Sequence, residues 1–206
     1  MSIQLSQQLL MAYEDYKYLL NRGYNRKTSL DLITGRYNLN KKERLLLYRC
    51  THSDEEIKSV KEKIITSSNQ IVIDGYNLAI TLLSAIYNDE IFLCDDGFYR
   101  DLGLGKRKND NEIIDALLLI SEFLSNKELD FMIFLDSQIS KSGEIAKILR
   151  ERNIKAKVVN KVDKELIMQE STVSSNDFLV LSKAKRIYDV LGEIIKVSGI
   201  KVISIK

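Results

Sequence analysis

Apolar residues recur at spacings of three and four through the first third of the chain and gather into short contiguous runs beyond residue 70. Leu9, Leu10, Tyr13, Tyr16, Leu19 and Leu20 mark one stripe of a helix that Arg22-Gly23 ends. A second helix is predicted from about Thr28-Ser29. Asn40 with Glu43 has the form of a capping box opening the run KKERLLLYRC. Ser53 with Glu56 repeats that signal before Ile57, Val60 and Ile64, so a fourth helix is predicted to run toward Thr66. Residues 1–66 therefore read as a small all-helical domain.

From Gln70 onward, strands are predicted at 71–73, 131–135, 155–159, 171–173 and 201–205, with helices over 78–87, 112–124, 144–150 and 183–197. This alternation predicts an α/β domain over 70–206: a parallel sheet of about five strands, helices on both faces, right-handed crossovers. The run 90–94 reads either as an edge strand or as loop. Ser67-Ser68-Asn69 is short, polar and placed at the change of period, which suits a linker.

The composition narrows the chemistry. No apolar run approaches the roughly 20 residues that span a bilayer, and MSIQLSQQLL lacks the basic, apolar and small-residue sequence of an export signal. A cytoplasmic protein without a membrane partner is expected. Cys50, Cys94 and His52 are too few for a Cys/His zinc cage, and two cysteines make no disulfide framework. His52 lies between Thr51 and Ser53 at a helix junction and is given no catalytic role. Carboxylates are left to carry any chemistry.

Parallel sheets bind ligands at the carboxyl ends of their strands, where the loops diverge. The run at 71–73 is followed by Asp74, that at 131–135 by Asp136, that at 155–159 by Asn160 and then Asp163, and that at 171–173 by Ser174, Ser175, Asn176 and Asp177. Four strands thus deliver an aspartate to one edge. Four independent turn or helix caps are the plain alternative. Clustered carboxylates repel unless a cation neutralises them, and hard oxygen ligands favour Mg²⁺ or Mn²⁺. Such an ion supports phosphodiester hydrolysis.

Asp74-Gly75-Tyr76-Asn77, Phe134-Leu135-Asp136-Ser137, Val162-Asp163-Lys164-Glu165-Leu166 and Ser174-Ser175-Asn176-Asp177 resemble, in that order, the motifs of PIN-like nucleases, including the NYN branch. The segment Asp95-Asp96-Gly97-Phe98-Tyr99-Arg100-Asp101-Leu102 is similar to a PIN-like branch without an assigned activity. Residues 22–30 and 37–39 resemble the domain of unknown function 434 that accompanies that branch. The resemblance implies a PIN-like fold over 70–206 with Asp74, Asp136, Asp163 and Asp177 as catalytic and metal-binding residues. It implies that Asn77 and Ser137 hold a ligand or phosphate. Many PIN nucleases carry a further Glu on a helix, for which Glu112 and Asp115 are the candidates here. Asp96 is another candidate metal ligand, or a turn residue.

The segment 95–111 has no clear period and suits a mobile basic flap, with Arg100, Lys106, Arg107 and Lys108 as substrate contacts. Its glycines complete neither G-x-G-x-x-G nor a Walker loop. Residues 22–49 hold eight basic side chains against two acidic ones, a surplus of six that leaves −4 for the remainder. Arg26, Lys27 and Arg36 are the expected contacts to nucleic acid, RNA in the first instance. The expectation is a metal-dependent ribonuclease with a helical RNA-binding module. The alternative is a non-catalytic nucleic-acid-binding adaptor, and a homodimer is a further expected partner.

Overall fold

The structure, a computed structural model, describes residues 5–68, 70–105 and 108–205. Four helices open the chain: α1 (Gln7–Asn21), α2 (Arg26–Arg36), α3 (Lys41–Cys50) and α4 (Asp54–Lys61). Both predicted capping boxes form, at Asn40 with Glu43 and at Ser53 with Glu56. Helix α2 starts earlier than expected because the Asn25 side chain accepts the N–H groups of Lys27 and Thr28. Helix α4 stops at Lys61, short of Thr66. Ile64 leaves the helix to form a parallel bridge with Ile187, and the Ile65 N–H donates to Ile187 O at 2.9 Å.

The remainder runs β1 (Ile71–Asp74), α5 (Gly75–Ile86), β2 (Phe92–Leu93), β3 (Tyr99–Arg100), α6 (Asp110–Asn126), β4 (Phe131–Asp136), α7 (Ser142–Glu151), β5 (Ala156–Val159), α8 (Val162–Ile167), β6 (Thr172–Ser174), α9 (Phe178–Lys183), α10 (Val190–Ser198) and β7 (Ile203–Ser204). The main sheet is parallel with order β5-β4-β1-β6, so it has four strands where about five were expected. The run at 201–205 does form a strand, β7, but it pairs with β2 in a separate three-stranded sheet, β3-β2-β7. Its partner follows from burial: Ile205 and Phe92 complete the apolar core of α1, α2 and α3. The helix predicted over 183–197 forms only from Val190, as α10, and α9 ends at Lys183, because Ile187 is drawn out to bridge Ile64 and Val173 and Asp189 then caps α10.

Alternation along the central strands fills two cores. Ile71, Ile73, Ile133 and Leu135 face α5, α6, α7 and α10, while Val72, Phe134 and Val173 face α8, α9 and Val60 of α4. Helices therefore cover both faces, as expected for a buried parallel sheet. The chain leaves β1 and β4 toward one face, through α5 and α7, and leaves β5 and β6 toward the other, through α8 and α9. Crevices thus open at the carboxyl edge between β1 and β6 and between β4 and β5. Gly75 lets α5 start directly against β4. A Cβ there would lie 2.8 Å from side-chain carbons of Ile133 and Leu135 and 2.9 Å from Phe134 O.

The helical segment does not keep its core to itself. Leu9, Tyr16, Leu46 and Leu47 share one apolar cluster with Phe92, Leu102 and Ile205. Cys50 and Cys94, expected to make no disulfide framework, form one disulfide that ties the end of α3 to the end of β2. Counting two cysteines could not show that folding brings together positions separated by 44 residues. Closing a loop of that length in the unfolded chain stabilises the fold by roughly 2–4 kcal/mol. Reduction is therefore expected to lower the urea midpoint of the parent and to leave a Cys50→Ser/Cys94→Ser protein unchanged. Equal midpoints with and without reductant would contradict the pairing.

Candidate functional site

The four aspartates lie at the carboxyl edge, and Asp74, Asp136 and Asp177 are seated by backbone or hydroxyl donors. Asp74 ends β1 and is buried; its Oδ2 accepts the Ser175 hydroxyl at 2.8 Å and its Oδ1 accepts the Asn77 N–H at 3.4 Å. Asp136 ends β4, accepting the Gln138 N–H at 2.8 Å and the Val162 N–H at 3.5 Å. Asp163 lies exposed in the first turn of α8. Asp177 caps α9 by accepting the Leu179 and Val180 N–H groups.

These carboxylates act on one another. Burial pushes Asp74 up to about 7, with Asp163 and Asp177 adding to the rise and the donors Ser175 and Asn77 opposing it. Partial desolvation raises Asp163, and the charges of Asp177 and Asp136 raise it further. All four expected residues therefore belong to one electrostatic group across both crevices. Among the described residues, no three of them have ligand oxygens within 4.8 Å of one another. Like charge favours such spacing.

The donor set fits a hard divalent cation, being oxygen only. Tyr76 follows Asp74 and Gly75 at the start of α5. Its hydroxyl is buried and makes no well-aligned hydrogen bond among the described residues. Burial raises its pKa, the Ser142 hydroxyl opposes the rise, and Asp110 and Asp136 add to it. Asp110, which opens α6 and pairs with Lys141 at 2.9 Å, was not singled out from the sequence. In the sequence it falls within the aperiodic segment 95–111. Ser175 was also missed, because two adjacent serines in the motif do not reveal which one faces Asp74.

The other expected residues fall in several places. Asn77 joins the site: its Oδ1 accepts the Asn176 N–H at 2.7 Å, tying β6 to α5 beside Asp74. Ser137 is exposed next to Asp136, and its N–H donates to Val159 O. Glu112 completes the cap of α6 and accepts the Tyr87 hydroxyl, and these two donors hold it below the usual range for a glutamate. Asp115 is exposed on the same helix.

Asp96 is fully buried away from solvent in a turn, where it accepts the Phe98 N–H and two donors of the Arg100 guanidinium at 2.5 and 3.0 Å. Arg100 is consequently no exposed substrate contact; its Nε donates to Asn176 O at 2.6 Å, so its donors hold the β3 turn onto the β6 loop. The expected flap begins as the β2–β3 hairpin. Lys108 pairs with Asp89 at 3.0 Å, and Lys106 and Arg107 lie outside the described residues.

Asp96 belongs instead to a buried group with His52 and Asp95, whose ligand atoms all lie within 4.8 Å. His52 Nδ1 is 2.7 Å from Asp95, and Lys17 is 3.3 Å from the same carboxylate. Burial raises Asp95, but His52 and Lys17 more than offset this and hold it below the usual carboxylate range. Lys17 and Arg100 already supply two cations to the two acids, so the group is an ion-pair network as it stands.

A cleft of about 520 Å³ joins this network to the acidic edge. Arg26, Arg49, His52, Asn77, Asp177 and Phe178 are among the residues that line it. Much of the basic surplus in 22–49 is spent in ion pairs: Arg26 with Glu56, Arg36 with Asp15, Lys42 with Glu90, and Arg44 with Asp31. Of the three expected contacts, Arg26 lines the cleft, Lys27 is exposed on α2, and Arg36 is exposed beside Asp15.

Residues 63–193 match the family described as domain of unknown function DUF5616. The chain belongs to the DUF5616 family. Residues 8–63 match the family DUF434, which bears out the likeness read from the N-terminal motifs. An uncharacterized protein of Methanocaldococcus jannaschii is 37% identical over 198 residues, covering 90% of this chain and 95% of that protein. No solved structure matches the chain. Among the described residues of this DUF5616 chain, no helix is long and apolar enough to cross a membrane.

The raised pKa of Asp74 carries a stability consequence. Between about pH 4 and 7 the folded chain keeps a proton that the unfolded chain has released. Stability from this group therefore falls as pH rises through that window and is constant above it. At about 1.4 kcal/mol per pH unit the loss is at most ~4 kcal/mol. Urea unfolding in EDTA is expected to show Asp74→Asn gaining on the parent from pH 5 to pH 8. A difference that does not change with pH would remove Asp74 as the titrating group.

Proposed function

We propose that the chain is a divalent-metal-dependent ribonuclease whose α/β part works as a PIN-like domain. The observation that supports this most is the convergence of Asp74, Asp136, Asp163 and Asp177 from four strand ends into one repelling group beside a cleft. Repulsion of this kind is relieved by a cation, and Mg²⁺ or Mn²⁺ suits ligands that are all oxygen. Asp74, Asp136, Asp163 and Asp177 would hold the ion, which supplies charge neutralisation at phosphorus and a water of lowered pKa.

The chain's own residues do the rest. Ser175 and Asn77 fix the Asp74 carboxylate from two sides. Asn77 also holds the β6 loop, and the Ser175 hydroxyl links Asp74 to the Asp177 N–H, so these two side chains tie Asp177 to Asp74. Arg26 and Arg49 line the cleft together with Asn77 and Asp177, so a single strand lying there would meet guanidinium donors next to the acidic edge.

One observation favours the adaptor reading: the carboxylates are spread more widely than a closed ligand set. Divalent-metal linkage separates the two. With Mn²⁺ the parent is expected to cut single-stranded RNA and to gain melting temperature. Asp74→Asn and Asp136→Asn are expected to lose cleavage by at least about 10²-fold while retaining their circular dichroism. An adaptor would bind RNA in a salt-sensitive manner with no Mn²⁺-linked stabilisation. Variants that cut as well as the parent would overturn the site.

A further inference from the structure

His52 is the sole histidine of the chain, and it is buried in the wall of the cleft. Two hydrogen bonds fix it to one carboxylate: Nδ1 lies 2.7 Å from Asp95 Oδ1, and the backbone N–H donates to Asp95 Oδ2 at 2.9 Å. A carboxylate on Nδ1 keeps a proton on that nitrogen and orients the ring. One ring face is covered by Phe178, whose centroid is 3.8 Å away and whose chain neighbour is Asp177. The imidazole is thus positioned with respect to the acidic edge from two directions.

The other ring nitrogen is left over. Nε2 makes no hydrogen bond among the described residues, yet it is not one of the sealed, partnerless atoms of the interior. It therefore meets the cleft that Asn77 and Asp177 also line. The charges around the ring are Asp95, Asp96 at 3.9 Å from Nδ1, Lys17 on Asp95 and Arg100 on Asp96, with the Arg26 guanidinium 5.7 Å from the centroid of Phe178. A buried histidine held by an acid at one nitrogen and presenting the other to a cleft is the arrangement of a proton-transfer residue.

We propose that His52 protonates the leaving oxygen during phosphodiester cleavage, an inference that rests on the nuclease reading above. Water attacks phosphorus and forms a new P–O bond while the bond to the bridging 3′ oxygen breaks, its electron pair moving onto that oxygen. The Nε2 proton passes to the oxygen, leaving a neutral imidazole whose Nδ1–H stays on Asp95. The attacking water releases its proton to solvent, and solvent reprotonates Nε2, so the cycle closes without another reactant.

Sulfur in place of the bridging 3′ oxygen tests this step, because a thiolate leaves without a proton. In Mn²⁺, His52→Ala and His52→Gln are expected to lose at least about 10²-fold on the ordinary RNA linkage and less than roughly fivefold on the sulfur-bridged one. Equal losses on both linkages, or no loss on either, would overturn the assignment. A second readout needs no turnover and no folded His52 variant. In the Asp74→Asn protein with Mg²⁺ and a single-stranded oligoribonucleotide, the one set of imidazole NMR resonances is expected to shift on binding. Unchanged resonances in a saturated complex would also overturn it. A parent that cuts neither linkage removes the nuclease reading itself, and this inference falls with it.

Discussion

Repulsion among four carboxylates at one end of a four-stranded sheet is the constraint on which the rest of the account depends. The fold meets part of it with backbone dipoles. Asp74 and Asp177 cap the helices that follow their strands, and Asp136 accepts two backbone N–H groups. These donors stabilise negative charge, yet they do not cancel burial at Asp74, which stays protonated to about pH 7. A residue seated in this way is costly as an anion and is relieved by a cation. The same tension explains why the edge is open: closing it without positive charge would raise the cost further.

A second cluster of charge is resolved in the opposite way. Asp95 and Asp96 are buried, but Lys17, Arg100 and His52 satisfy them, and the Cys50–Cys94 disulfide lies next to the network in sequence. Removing one partner of a buried pair leaves an uncompensated charge, so such networks fix one arrangement more than they add net stability. Here they fix α1 and the loop after α3 against the β2–β3 hairpin, and they set the wall of the cleft.

Much of the architecture was legible from period and capping chemistry. Asn40, Glu43, Ser53 and Glu56 announced two helix starts, and the apolar runs located every strand of the main sheet. The aspartates at the strand ends were legible for a topological reason: parallel strands send their carboxyl ends to one edge, so position in sequence becomes position in space. Partners set by tertiary burial were not legible. The strand β7 reads like a member of the main sheet but goes to β2, because Ile205 fills the helical core. Arg100 looked like a surface cation until Asp96 claimed it, and His52 had no visible partner until the hairpin brought Asp95 to its ring. Each involves contacts that local pattern does not encode.

Anomalous diffraction from crystals of the parent soaked in Mn²⁺ tests the central claim most directly. The account predicts a manganese peak at the carboxyl edge, bonded to oxygens of Asp74 and at least one of Asp136, Asp163 and Asp177. Fully occupied manganese bound only at His52, Asp95 and Asp96, or no peak at saturating concentration, would contradict it.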